Sequence, residues 1–297
     1  MEICFIINPI SGTRKKETLP GIIRNGLDAT RFEPQFVFTE RQGHAHELAR
    51  REVEKGTPFV VAVGGDGTVN EIAAALRDSN TALGIIPSGS GNGLARHLHI
   101  PLHLDKALKT INAAHVKDID YGLVNGQPFF CTLGSGFDAH VSDLFAHSSR
   151  RGFRKYASII AQEFIMYRSQ YYRLVIDGKP VETKAMLVTV ANASQYGNNG
   201  YISPLADISD GELDVCILLP FPKLLAATLA VRLISKTIHR SPYYRGFKGK
   251  EIIIERTKAD KVHLDGDPFK MDKVLNISII PNGLKVMVNV EKRIKFS

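Results

Sequence analysis

The residues best suited to chemistry lie in Gly64-Gly65-Asp66-Gly67-Thr68-Val69-Asn70-Glu71. Three glycines in four positions leave the main chain bare, so a ligand can come close to its amides. Behind them Ile72-Ala73-Ala74-Ala75-Leu76 has helix-forming composition, and a helix starting here offers unpaired N–H groups and a positive dipole end. That combination suits a phosphate. Asp66 would repel a phosphate unless a cation or proton donor stood between them, which points to a magnesium-bound nucleotide or to a network that handles a hydroxyl. Thr68 and Glu71 also fit the Ser/Thr-x-x-Glu capping box, so both have a second reading as caps of their own helix, compatible with nucleotide contact.

A second glycine-rich turn, Pro87-Ser88-Gly89-Ser90-Gly91-Asn92-Gly93, runs into a helical Leu94-Ala95-Arg96-His97-Leu98. Arg96 could pair with phosphate or serve the fold. His97, His99 and His103 straddle Pro101 without acids arranged for metal, and read as surface histidines. A third turn, Asn8-Pro9-Ile10-Ser11-Gly12-Thr13, precedes the basic run Arg14-Lys15-Lys16 and is either a ligand loop or a plain connection. The P-loop spacing GxxxxGK[ST] occurs nowhere. Farther on, Asp207, Asp210, Glu212 and Asp214 put four acids into eight residues, a turn that is either solvated or able to hold a hard cation through oxygens. Asp265-Gly266-Asp267-Pro268, after the strand Lys261 to Leu264, reads as a hairpin turn.

These turns need elements to position them. Ile3 to Asn8, Gln35 to Phe38, Phe59 to Val63 and Leu83 to Pro87 are strand-like and alternate with helical stretches, which predicts a parallel sheet covered on both faces. The Asn8, Thr39, Gly64 and Ser88 turns would then gather at the carboxyl ends of the strands, where such sheets bind ligands. The pattern changes after about residue 115. Hairpins are predicted at Asn125-Gly126, at Asp177-Gly178 between Tyr171 to Ile176 and Val181 to Val190, and at Asn282-Gly283. The expected fold is therefore α/β in two domains: residues 1–119 with a parallel sheet, and residues 120–297 rich in antiparallel strands, the last residues packing back on the first domain. Phe153 to Arg168 reads as a helix within the second.

Composition narrows the class. The chain has 297 residues and a net charge of +8, which favours an anionic partner: nucleotide, nucleic acid or an acidic membrane surface. Cys4, Cys131 and Cys216 lie far apart in apolar stretches, and read as reduced core residues of a cytosolic protein. The amino terminus resembles a first strand and not a signal peptide. Leu213 to Ile234 is too interrupted by prolines and charges to span a bilayer. Arg150-Arg151-Gly152-Phe153-Arg154-Lys155 and the stretch Lys236 to Lys250 mix cations with aromatics, as a nucleic-acid site, a membrane interface or a solvated basic face would. Leu224 to Val231, apolar nearly all round, reads as a core helix or as part of a wall for an acyl chain.

Taken in order, Asn8-Pro9-x-Ser11-Gly12, Gly64-Gly65-Asp66-Gly67-Thr68-x-Asn70-Glu71, Pro87-x-Gly89-Ser90-Gly91-Asn92, Asp120-x-Gly122, Gly136-Phe137-Asp138-Ala139, Asp210-Gly211-x-Leu213-Asp214 and Asp265-Gly266-Asp267 resemble the diacylglycerol kinase catalytic family, which includes bacterial lipid kinases and the sphingosine and ceramide kinases. The resemblance covers nearly the whole chain. It implies an α/β nucleotide-binding half and a β-sandwich half with the active site in the cleft between them, and transfer of the γ-phosphoryl group of ATP, with magnesium, to a lipid hydroxyl. On the matching residues it implies that Asn8, Pro9, Ser11, Gly12, Thr39, Gly64, Gly65, Asp66, Gly67, Thr68, Glu71, Gly89, Ser90 and Asn92 cradle the nucleotide. Asp66 would organise the magnesium network, Asp120 support it, and Asp267 act as general base. Asp207, Asp210 and Glu212 would hold a structural magnesium, partly through backbone carbonyls.

The expected partners are a diacylglycerol-like or sphingoid lipid and an anionic membrane surface, with no nucleic acid, and a homodimer is the candidate assembly. The expected location is cytoplasmic with peripheral membrane association.

Two positions depart from the family. Gly93 stands where diacylglycerol-type members place an aspartate of the magnesium network, and Asp267 stands where relatives usually have glutamate. A base displaced by about 1 Å costs about a hundredfold in rate. The alternatives are a soluble-acceptor kinase of the NAD kinase type and a catalytically weak lipid-binding relative.

Overall fold

The first strand, β1 (Glu2–Ile7), is apolar at every position after Glu2 because both of its faces are covered. In the computed structural model, which describes residues 1–12, 16–146, 163, 164 and 166–289, the chain forms two units. The first comprises Met1–Asp120 and the chain from Asn282 onward; the second is Tyr121–Pro281.

In the first unit β1 is followed by α1 (Leu19–Gly26), β2 (Glu33–Phe38), α2 (His44–Lys55), β3 (Phe59–Gly64), α3 (Asp66–Leu76), β4 (Ala82–Pro87), α4 (Gly93–His97) and α5 (Leu104–Ala113). The strands lie in the order β2-β1-β3-β4, every pair parallel. Ile3, Phe5 and Ile7 of β1 share a core with Val61 and Val63 of β3, Leu19 and Ile23 of α1, and Leu104, Leu108 and Ile111 of α5. The opposite face of the sheet is covered by α2 and α3. Because all four strands run the same way, the turns that begin at Asn8, Thr39, Gly65 and Ser88 leave one edge of the sheet.

β5 (Val116–Val124) carries the chain into the second unit. There follow β6 (Gln127–Phe129), β7 (Thr132–Gly136), α6 (Phe137–Ala146), β8 (Gln170–Ile176), β9 (Lys179–Ala185), β10 (Leu187–Ala191), β11 (Leu213–Leu218), α7 (Ala226–Ile234), β12 (Tyr244–Gly249), β13 (Glu251–Arg256), β14 (Asp260–Leu264), β15 (Asp267–Met271) and β16 (Val274–Met287). One antiparallel layer has the order β12-β11-β10-β7-β14-β15, and β9, β8, β13 and β16 pair antiparallel in the other. Leu133, Val188, Val215 and Leu264 of the first layer meet Leu174, Ile252, Ile254 and Ile277 of the second in one core, which makes this unit an antiparallel sandwich. No described helix is long and apolar enough to cross a membrane. All three cysteines are buried, and none is in a disulfide.

The structure corrects several local expectations. Val181 to Val190 is not one strand: it divides at Met186, whose N–H bonds Leu218 O, into β9 and β10 of different layers. Asn282-Gly283 is not a hairpin but lies inside β16. Asn282 takes a left-handed φ of 53°, which asparagine tolerates, and a single residue of that kind kinks a strand without reversing it. His97 is half-buried, and desolvation, with His99 and Lys117 nearby, lowers its pKa to about 4. Arg14, Lys15, the basic cluster Arg150 to Lys155 and most of the helix expected from Phe153 lie outside the described residues.

Candidate functional site

α3 starts at Gly65 with no side-chain cap, so its first-turn amides face outward without competition from a protein side chain. Both residues that the capping box nominates are engaged elsewhere. Thr68 is buried and its Oγ1 accepts Asn8 Nδ2–H at 2.9 Å. Glu71 accepts the main-chain N–H groups of Gly43 at 2.8 Å and Ala45 at 3.1 Å, and so caps the neighbouring α2. The capping expectation thus fails for α3 and holds for a different helix. α2 needs it because its own N-cap, Gly43, has no side chain.

Three turns close around this helix end. Asn8 ties the turn after β1 together: its Oδ1 accepts Ile10 N–H at 3.1 Å and its carbonyl accepts the Ser11 hydroxyl at 2.9 Å. Pro9 and Gly12 are exposed and Ser11 is half-buried. A Cβ on Gly12, whose φ is +65°, would stand 2.5 Å from Ser88 O, so this turn lies directly against the turn after β4. In that turn Asn92 is buried and brackets Gly89, accepting its N–H at 3.1 Å and donating to its carbonyl at 2.8 Å. Arg96 Nε donates to Gly91 O at 2.8 Å, which supports its structural reading. Ser90 remains exposed.

Asp66 joins the turn after β3 to the turn after β4. Its Oδ2 accepts Asn92 N–H at 2.8 Å and its Oδ1 accepts Gly93 N–H at 2.7 Å. A Cβ on Gly89 would be 2.6 Å from Gly65 Cα, and one on Gly91 2.6 Å from Asp66 Oδ2. These glycines are therefore needed for the turns to approach each other. Gly64 is similar, since a Cβ there would strike the Thr68 side chain. Gly67 is half-buried in the first turn of α3, and Thr39 is buried with its N–H on Ile7 O at 2.9 Å. Asp120, 1% exposed, accepts Asn282 N–H at 2.7 Å and anchors the returning strand.

In the second unit the β14–β15 hairpin carries Asp265-Gly266-Asp267 at its turn. Asp265 accepts the N–H groups of Phe130, Cys131 and Thr132 at 2.8, 2.6 and 2.8 Å. Asp265 is thereby a structural anchor, whereas Asp267 is exposed at the start of β15. The base of the hairpin is held by Arg256, 2% exposed, whose guanidinium donates to the carbonyls of Asp260, Lys261, Met271 and Asp272. Behind the turn, His263 accepts Gly266 N–H at Nδ1, 3.3 Å away, and its Nε2 lies 3.4 Å from Asp138 Oδ2. Asp138 Oδ2 also accepts the Thr189 hydroxyl at 2.7 Å. Sequence reasoning gave no role to Arg256, His263 or Asp138; the one available signal was Asp138 in its Gly136-Phe137-Asp138-Ala139 string.

Magnesium is implied at two places, and the residues fit it differently. Each oxygen of Asp66 accepts one N–H, so each retains a lone pair. At the acidic turn a lysine already supplies positive charge and several of the carboxylate oxygens are engaged. Asp207 Oδ1 is taken by the N–H and hydroxyl of Ser209, at 3.0 and 2.9 Å. Asp210 accepts Glu212 N–H with Oδ1 and the Lys248 ammonium with Oδ2, and Lys248 Nζ lies 3.8 Å from Glu212 Oε2. Desolvation raises the pKa of the adjacent Asp214 to about 6, with Lys248 opposing the shift. Among the described residues no three acids, histidines or cysteines converge as a metal would require. The cation beside this turn is the chain's own lysine.

Comparison with known proteins agrees with this architecture. Residues 2–124 match the family "Diacylglycerol kinase catalytic domain" and residues 131–288 match the "YegS C-terminal NAD kinase beta sandwich-like domain". A diacylglycerol kinase of Mycobacterium tuberculosis is 32% identical over 269 residues, which cover 82% of each chain. A Pseudomonas aeruginosa protein named "Probable lipid kinase YegS-like" is 29% identical, covering 84% of this chain and 82% of its own. The crystal structure of a diacylglycerol kinase from Bacillus anthracis shares the fold with a TM-score of 0.75 at 21% identity, over 98% of this chain and 97% of the other. With both units matched and a relative above 30% identity over most of its length, the chain belongs to the diacylglycerol kinase catalytic family of lipid kinases and is a kinase.

Proposed function

We propose that the protein transfers the γ-phosphoryl group of ATP, with magnesium, to the hydroxyl of a diacylglycerol-like or sphingoid lipid. The observation that carries the donor half is the uncapped start of α3, framed by the Asn8 and Gly89 turns while Thr68 and Glu71 are engaged elsewhere. Those amides would receive the nucleotide phosphates, with the exposed Ser90 as a hydroxyl donor and the Ser11 turn beside it. Phosphoryl transfer depends on positioning and charge neutralisation more than on covalent help. Asp66 would organise magnesium and its water with Asp120 in support, and the metal would neutralise charge on the transferring group. Two N–H donors already satisfy part of the Asp66 charge, which lessens the repulsion that a bare carboxylate would direct at phosphate.

Asp267 would take the proton from the attacking hydroxyl. It sits on a hairpin fixed at its base by Arg256 and at its turn by Asp265, so the short aspartate is presented on an ordered support.

The test is incubation of purified protein with labelled ATP, magnesium and mixed micelles of a bacterial lipid extract. Label should enter the organic phase, and the product mass names the acceptor. Asp267→Ala should lower the rate about a hundredfold or more while leaving ATP affinity unchanged. Label confined to a water-soluble product would sink the lipid-acceptor reading in favour of the NAD kinase type. An Asp267→Ala enzyme at full rate would remove the base assignment.

A further inference from the structure

α7 has two apolar faces. On one, Leu229 is 5% exposed and, with Leu233, packs against Leu187, Cys216, Leu218 and Ile238. The other runs through Leu224, Ala227, Thr228, Val231 and Ile234 at helical spacing, starting in the 3-10 turn Lys223–Leu225 that leads into the helix. Its large members, Leu224, Val231 and Ile234, are 95%, 63% and 61% exposed. An ordinary helix turns polar residues toward water on that side, and protein surfaces seldom gather aliphatic side chains without a partner.

The surrounding charge identifies the partner. Between Asp214 and Glu251 the chain has no acidic residue and seven lysines and arginines. Lys248 is committed to Asp210, but Lys223, Lys236, Arg240, Arg245 and Lys250 are exposed. Lys236 lies 4.5 Å above the ring of Tyr201, which adds an amphipathic aromatic beside the helix. Aliphatic groups exposed on a stretch of chain that carries seven cations and no acid complement the outer layer of an anionic bilayer. A second copy of this chain fits poorly, because a two-fold contact would set this cationic surround against itself.

We propose that this face of α7 is a membrane-docking surface: the helix lies in the headgroup plane of an anionic bilayer, with Leu224, Val231 and Ile234 inserted among the acyl chains and the flanking cations on lipid phosphates. Docking of this kind would serve an enzyme with a lipid acceptor, yet it needs neither ATP nor catalysis to be observed.

The chain contains no tryptophan, so Leu224→Trp supplies a single reporter. With phosphatidylcholine vesicles containing about 30% phosphatidylglycerol at about 0.05 M salt, its emission should shift to the blue and be quenched by brominated acyl chains; about 0.5 M salt should reverse both. Replacing Leu224, Val231 and Ile234 together by serine alters only exposed positions and should weaken vesicle binding at least about tenfold with the melting temperature preserved. Lys236→Ala with Arg240→Ala should weaken it similarly. Three results would overturn the docking surface: no spectral shift on anionic vesicles, unchanged binding by the triple-serine variant, or a concentration-dependent dimer that this variant abolishes. Phosphorylation of lipid in detergent micelles by the triple-serine variant keeps the catalytic reading separate from this one.

Discussion

Asp66 Oδ1 accepts the main-chain N–H of Gly93 at 2.7 Å, so the acid of one glycine turn is fastened to the position where the family resemblance leads one to expect a second acid. Gly93 contributes a donor here in place of a carboxylate. Asp66→Asn would set an amide donor against one of the two N–H groups it now receives. It should cost about 1–3 kcal/mol of stability and lower phosphoryl transfer at least about a hundredfold. Urea denaturation and the labelled-ATP assay read the two effects, and wild-type values in both would show that the clamp is dispensable.

Glu71 bonds Gly43 and Ala45, which makes it a helix cap delivered from another helix. Glu71→Ala should destabilise the protein by about 1–2 kcal/mol, with Glu71→Gln recovering part of the loss through its remaining acceptor. If Glu71→Ala instead weakened ATP binding at unchanged stability, the residue would belong to the nucleotide site.

Arg256 is the buried brace of the β14–β15 hairpin, and its planar fork meets four carbonyls that lysine cannot reach in the same geometry. Arg256→Met should cost about 3 kcal/mol or more by orphaning those carbonyls, and Arg256→Lys should recover little of it. A lysine variant with the wild-type urea midpoint would contradict the bracing role.

Lys248 supplies the positive charge at the acidic turn. Chelation of divalent ions should therefore leave the wild-type melting temperature unchanged, whereas Lys248→Met should lower it and make it respond to added magnesium. Loss of wild-type stability on chelation would restore the structural-metal reading of Asp207, Asp210 and Glu212.

Much of the fold could be read from local pattern. Phe59 to Val63 is apolar throughout because a central parallel strand is buried on both faces, and the glycines that follow it mark a turn into a helix whichever partners surround it. The ordered set of turns therefore carried both the two-part architecture and the family. Local pattern also misled in specific places. Asn282-Gly283 has the composition of a hairpin turn, but the Asp120 carboxylate and the Asp78 amide hold it within a strand. Thr68 and Glu71 have capping-box spacing, but Asn8 and the start of α2 claim them first.

What the sequence by itself determined was the set of glycine-rich turns at strand ends, since bare amides and a helix start are consequences of residue type over a few neighbouring positions. Tertiary structure alone decided how each carboxylate is engaged. Asp265 is consumed by three amides more than 130 residues away in sequence, Asp210 is neutralised by a lysine 38 residues on, and Asp267 lies at the exposed start of β15. The physical reason is that a carboxylate's role depends on the donors that folding brings within about 3 Å of it, and no spacing along the chain encodes those partners.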